Sequence, residues 1–252
     1  MLPLDRQAAI ERIIHMTFPA AYPGAIVVPA APENYYGPGS GRRKCWPLAI
    51  VYHTPEEPSD DRESTPYYFQ TYRPERGAAS TRYYSDSDGD IYQMVPEEWG
   101  AVANGLDGKP KPYWALPDSL NLQTDNIEIE GYAATLKDTM TSAQWKSLVD
   151  WSVWVFIRYG IPREEARMMA HYELSVQRSD PGPWLLSPAS GFKAEVLARV
   201  NQYEKDVKSL RADVEAQRRE LLTLGILLAT GREAEAEARV KYMATAGNIP
   251  LP

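Results

Sequence analysis

One stretch of this chain puts groups suited to metal binding and acid–base chemistry close together. His171-Tyr-Glu-Leu-Ser-Val-Gln-Arg178-Ser-Asp180-Pro-Gly-Pro183 places an imidazole and a carboxylate nine positions apart, with a guanidinium two residues before the carboxylate. Imidazole nitrogen and carboxylate oxygen are metal donors, and a fixed cation beside them can face a developing oxyanion. Pro-Gly-Pro forbids regular structure and fixes the backbone direction behind Asp180, so the stretch reads as a loop between ordered elements. One His and one Asp do not make a site. Two further histidines exist, His15 and His53. His15 lies among isoleucines on a candidate helix, where a packing role is the simpler reading. His53 closes the apolar run Leu48-Ala-Ile-Val-Tyr-His53 and precedes Thr-Pro, so its ring projects from a sheet's end into a cleft. His53, His171 and Asp180 form a reasonable donor set for a catalytic zinc with an open fourth position. Two distant histidines are also commonplace in a domain of this size, and spacing alone leaves both readings open.

The elements that must position these groups are legible in part. Residues 4–16 read as a short helix with Ile10, Ile13 and Ile14 inward, and residues 18–47, with six prolines, as an extended wrapping segment. Leu48–His53 is a strand, and the acidic residues 54–66 are a solvated loop. Arg82–Val95 holds two β-rich runs around Asp88-Gly89, the chemistry of a tight hairpin turn. The Asp86, Asp88, Asp90 spacing invites a calcium loop, but Ile91 stands where that loop needs glycine. Residues 99–122 are Gly/Pro-rich loop. Asn126-Ile-Glu-Ile-Glu-Gly131 alternates with period two, so Glu128 and Glu130 share one strand face. Thr141-x-x-Gln144 is a capping box opening a helix whose core side carries Trp145, Leu148, Val149, Val155, Phe156 and Tyr159, and Gly160 with Pro162 ends it.

Composition bounds the rest. With 252 residues, 44% of them hydrophobic, including 7 Trp and 16 Tyr, a packed core is within reach. A net charge of −7 argues against a nucleic-acid surface. The single cysteine, Cys45, excludes an intramolecular disulfide framework and a Cys-rich zinc site, and reads as an idle thiol. No stretch approaches the ~20 apolar residues needed to span a bilayer. Prolines stop short of the last quarter: 19 of 21 precede residue 191, and none occurs from 189 to 249. There Val196, Val200, Tyr203, Val207, Leu210, Val214, Gln217, Leu221, Leu224 and Leu228 alternate by four and three, a heptad seam interrupted by Gln217. Gly231 ends it, and 232–246 reads as a second helix. Three regions follow: an N-terminal helix and wrapping segment (1–45), a catalytic domain (46–191) and a helical, heptad-patterned tail (192–252).

Taken in order, Ile-Val-Tyr-His53-Thr, Asp-x-Asp-Gly-Asp-Ile-Tyr-Gln-Met-Val95, Ile-Glu128-Ile-Glu-Gly-Tyr132, Gln144 opening a helix that ends Arg-Tyr-Gly-Ile-Pro162, then His171 and Asp180-Pro-Gly-Pro183, the chain resembles the type-2 N-acetylmuramoyl-L-alanine amidases over about residues 46–190. These are zinc amidases of bacteriophage lysins and bacterial wall recycling, related to peptidoglycan-recognition proteins. The resemblance implies an α/β fold, a mixed central sheet flanked by helices, here with a long C-terminal helix or coiled coil. It implies zinc on His53, His171 and Asp180, and peptidoglycan as substrate, cleaved between N-acetylmuramic acid and L-alanine. It further implies that Glu128, or Glu130 if the match shifts by two, assists the attacking water. Arg178 stands where the family usually has an oxyanion-stabilising lysine.

Two departures bear on substrate contacts. An aromatic-His pair before the hairpin is here Thr81-Arg82, and a Trp-His-Ala-Gly-like stretch is Val102-Ala-Asn-Gly105. They keep open a second reading, a catalytically weak or inactive amidase-fold protein that binds cell wall or builds a phage tail. The N-terminus lacks a basic region followed by an apolar run, so no ordinary secretory signal is expected. That fits a phage lysin made in the host cytoplasm and released through a holin, or one carried in the virion. For the tail, homo-oligomerisation through 196–228 stands against a hairpin of two helices.

Overall fold

The computed structural model describes residues 20–36, 46–56, 64–75, 77–104, 107–116 and 119–245. The expected helix over 4–16 with His15, and Cys45, lie outside them. The strands are β1 (Ile26–Val27), β2 (Tyr35–Tyr36), β3 (Ala49–His53), β4 (Tyr83–Ser85), β5 (Ile91–Gln93), β6 (Gly100–Ala101), β7 (Thr124–Ile129) and β8 (Met168–Ala170). The helices are α1 (Ser64–Tyr68), α2 (Leu136–Thr139), α3 (Ser142–Tyr159), α4 (Phe192–Ala229) and α5 (Glu233–Thr245). Six strands form one sheet in the order β1-β5-β4-β7-β3-β8, and β2 pairs with β6 in a small antiparallel ribbon. The sheet is mixed: β4 and β5 are antiparallel, and every other neighbouring pair is parallel. The expected α/β fold with helices on a mixed sheet is what forms. The chain divides into two compact units, one ending at Val200 and one beginning at Asn201.

Strand β3 is buried along its whole length, which is why it reads as an unbroken apolar run. Ile50 and Tyr52 join Tyr83, Ile127 and Ile129 under helix α3, which buries Leu148, Val149, Trp151, Val155 and Phe156. Trp151 is fully buried and is the largest residue of that layer, whereas the expected Trp145 and Tyr159 only flank it. Ala49 and Val51 face the other way, onto Trp114, Leu120 and Leu174. Side chains alternate along strands, so His53 follows Ala49 and Val51 to the face away from α3.

The hairpin of β4 and β5 forms in the expected place, with Tyr84 opposite Tyr92. Its connection is longer than a two-residue turn. Asp86 Oδ1 accepts from the backbone N–H groups of Asp88 and Asp90, its Oδ2 accepts from Tyr92 Oη, and Gly89 takes φ 90°. The aspartate closes the turn, the work a cation would do in a calcium loop. Helix α3 begins at Thr141, whose Oγ1 accepts from Gln144 N at 3.0 Å, but the box is half-built. The Gln144 amide donates instead to Ser85 O and Glu130 O, pinning the helix start to the sheet. Gly160 ends the helix at φ 63°, as its position suggested.

Arg82 does not reach substrate. Its side chain is fully buried, its Nε lies 2.7 Å from Asp125 Oδ1, and its two terminal nitrogens donate to Pro96 O and Trp99 O. The departure at Thr81-Arg82 thus belongs to the interior, where an ion pair ties β4 and β7 to the segment before β6.

Candidate metal centre

Strands β4, β7, β3 and β8 are mutually parallel, so their carboxyl ends share one edge, the place where open α/β sheets build sites. His53 is the last residue of β3, and its register partner on β7 is Glu128. Paired residues on neighbouring strands lie on the same face about 4.8 Å apart. Directly after β8 comes His171, opening a 3-10 turn to Glu173. This three-residue strand, missed in the sequence, carries His171 to the edge of the sheet beside His53.

Asp180 returns to His171 because the loop between them is closed at its neck. Tyr172 N donates to Asp180 O at 3.1 Å, while Leu174 and Ser175 turn back onto His171 O. Behind Asp180 the chain turns through a cis Asp180–Pro181 bond, with Gly182 N donating to Ser179 O. Gly182 has φ 80°, and a β-carbon there would come within 2.3 Å of Ala133 O. Glycine is required on both counts.

Three donor atoms meet in this arrangement. His53 Nδ1 and His171 Nδ1 are 3.0 Å apart, His171 Nδ1 and Asp180 Oδ2 3.1 Å, and His53 Nδ1 and Asp180 Oδ2 3.3 Å. A tetrahedral ion with metal–ligand bonds of ~2.0–2.1 Å would space its ligand atoms by ~3.3–3.4 Å, close to the triangle observed. Hydrogen bonds alone serve it poorly, since two imidazole nitrogens and one carboxylate oxygen converge on one point. All three residues are buried, and they form a group able to hold a metal ion.

The protonation states suit ligation. Burial pushes His53 below the ordinary histidine value, an effect only partly offset by Asp180, so the ring is neutral near pH 7. Burial alone would raise Asp180, but its close polar and charge contacts with His171 and His53 outweigh it and hold the carboxyl well below the usual carboxylate range. A metal needs its ligands in these deprotonated forms.

A second set of contacts fixes which nitrogen of His53 faces the cluster. The Thr124 hydroxyl donates to Leu120 O at 2.8 Å, so it accepts from Asn104 Nδ2 at 2.6 Å. That orientation turns Asn104 Oδ1 toward His53 Nε2, 2.9 Å away. An amide oxygen only accepts, so Nε2 carries the proton and Nδ1 offers its lone pair to the cluster. Asn104 is held in turn by its backbone N–H, which donates to Asn121 Oδ1 at 2.6 Å. In the sequence Asn104 showed only as part of a departure from a family motif.

The donor triangle opens onto a cavity of about 520 Å³. Glu128 and Arg178 line it together with the three donors, and Tyr68, Phe69, Val102 and Ala103 supply apolar wall. Glu130 is elsewhere. Strand β7 ends at Ile129, and the Glu130 side chain turns inward to accept from Ser87 N. Of the two carboxylates the sequence left open, the structure brings Glu128 to the cavity.

The parallel part of the sheet thus carries two histidines at its carboxyl edge, and a loop carboxylate joins them in a group able to hold a metal ion, beside an acidic and a basic side chain. A family model described as N-acetylmuramoyl-L-alanine amidase matches residues 42–183, more than half of the chain, and the protein belongs to that amidase family. Among solved structures, a selenomethionine derivative of AmpD is 21% identical with TM-score 0.50, covering 69% of this chain and 95% of that one. The amidase LysC of Clostridium intestinale is 18% identical with TM-score 0.46, over 69% of this chain and 98% of that one. A mutant endolysin from Bacillus subtilis is 18% identical with TM-score 0.49, over 68% and 97%. Among curated proteins no match is found.

Proposed function

We propose that this enzyme is a zinc-dependent amidase that cleaves the bond between the lactyl group of N-acetylmuramic acid and L-alanine in peptidoglycan. The observation that carries the reading is the His53–His171–Asp180 triangle, 3.0 to 3.3 Å on a side, at the floor of a cavity walled by Glu128 and Arg178. Zinc held there supplies Lewis acidity to the scissile carbonyl and acidifies water near neutral pH.

The remaining work falls to side chains. Glu128 takes the proton of the attacking water and passes it to the departing amine of L-alanine, which leaves neutral. Arg178 faces the carbonyl oxygen as negative charge grows on it, and contributes by charge alone because a guanidinium does not give up its proton. Asn104 holds the His53 ring. Tyr68 and Phe69 line the same cavity and add aromatic surface for the substrate.

A phage lysin, freed through a holin or carried in the virion, is the setting we assign to this wall hydrolase. No described helix is long and apolar enough to cross a membrane. For residues 196–228 the reading is association between copies of the chain.

The test is metal content together with dye release from labelled cell walls. The expected result is about one zinc per chain and hydrolysis that His171→Ala abolishes along with the metal. A protein that binds walls without metal and without cleaving them would instead establish the wall-binding reading.

A further inference from the structure

We infer that helix α4 pairs with a second copy of itself as a parallel, in-register two-stranded coiled coil over Tyr203–Leu221. The inference deepens the self-association reading of 196–228 and is independent of the hydrolytic one.

Within the C-terminal unit the seam is laid bare. Tyr203, Leu210, Val214 and Leu221 are 47%, 64%, 54% and 62% exposed, on one stripe of one helix. Further on the seam runs beside a second helix, which buries Leu227 and Ala236 and leaves Leu228 57% exposed. Helix α5 folds back on α4, Arg239 pairs with Glu220 at 2.6 Å, and Leu224 and Leu228 share a groove with Ala236 and Val240. At its other end, Val196 and Val200 belong to the core of the first unit. That leaves three heptads of apolar stripe for an occupant.

Charge and side-chain shape say what the occupant is. With Val207, Val214 and Leu221 at a, and Tyr203, Leu210 and Gln217 at d, two of the three a residues are β-branched and Leu210 stands at d, an arrangement of the kind found in two parallel strands. The flanking e positions are Glu204, Arg211 and Arg218, and the g positions Asp206, Asp213 and Glu220. In a parallel in-register pair each g side chain meets the e side chain five residues further along the other copy. Asp206 then meets Arg211 and Asp213 meets Arg218, twice each by symmetry. Antiparallel pairing sets g against g, placing the three acids in one row. At present Asp206 accepts from Gln202 and Arg218 lies 3.8 Å from Glu215, both exposed local contacts that exchange readily. Gln217 faces its own copy in the parallel register, amide against amide, and faces an apolar neighbour when the register slips.

The experiment uses the full chain with Cys45→Ser. Light scattering across a concentration series is expected to show a monomer–dimer equilibrium. Tyr203→Cys and Gln217→Cys, introduced separately and oxidised, are each expected to give cross-linked dimers, because identical d positions face each other along the whole of a parallel pair. Asp213→Arg is expected to raise the dimer dissociation constant roughly tenfold, and adding Arg218→Asp to restore it. Dimers that cross-link at neither site or at one, or trimers, overturn the parallel two-stranded arrangement while leaving self-association standing. A monomer at every concentration overturns both.

Discussion

The hydrogen-bond relay behind His53 permits a quantitative prediction. Asn104→Ala removes the acceptor of His53 Nε2–H while leaving the backbone of residue 104 anchored to Asn121. A buried donor left without its acceptor costs ~1–3 kcal/mol. The ring can escape that cost by moving its proton to Nδ1, where it points at the donor triangle and blocks ligation. Either route weakens the metal complex, and orienting contacts of this kind are worth about 10- to 100-fold in metal affinity, or ~1.4–2.7 kcal/mol. Competition for zinc against a chelating dye at neutral pH reads the effect, with denaturant unfolding of the metal-free protein as a control for general damage. Thr124→Val perturbs the same relay one step back, since the Asn104 amide then loses the partner that sets its orientation. Asn104→Asp, which keeps an acceptor on His53, is expected to retain the metal. Zinc held by Asn104→Ala within about twofold of the parent would refute the argument that this amide selects the tautomer.

The remaining predictions concern the side chains around the cluster. Glu128→Gln is expected to lower kcat by ~100- to 10,000-fold with metal retained, whereas Glu130→Gln leaves kcat within about threefold and weakens stability. Steady-state hydrolysis and metal content separate the two. Arg178→Ala is expected to cost on the order of 100-fold in kcat, and Arg178→Lys to keep most of the activity because charge is what the position supplies. Arg82→Met strands the fully buried Asp125 and is expected to destabilise the fold by ~3–5 kcal/mol. Adding Asp125→Leu is expected to recover most of that in denaturant unfolding.

Where a residue's local surroundings decide its conformation, the sequence could be read directly. The apolar run ending at His53, the β4–β5 hairpin, the Thr141 cap and the Gly160 stop all depend on neighbours a few positions away, and all stand where the pattern placed them. What escaped depends on distant partners. Strand β8 is three residues long and exists because β3 offers it a free edge, so no periodicity announces it. The sequence pattern assigns Gln144 to its own helix terminus, yet Ser85 O and Glu130 O, brought there by the sheet, take its amide. Glu128 and Glu130 look equivalent in an alternating run; they differ because β7 stops at Ile129 and the second carboxylate finds Ser87 N. Arg82 looked like a surface change near substrate because its partner Asp125 lies 43 positions away.

The pairing of His53 with Glu128 has a consequence for how such an enzyme can change over time. Their separation is set by the rung spacing between two hydrogen-bonded strands, whereas Arg178 and Val102 ride on loops and Tyr68 on the end of the short helix α1. Insertions, deletions and exchanges in those loops can retune which wall chemistry is admitted without moving the carboxylate relative to the histidine. Directed evolution toward a new cell-wall target is therefore best confined to the loops, and mutations that shift the register of β3 against β7 are the ones to exclude from a library.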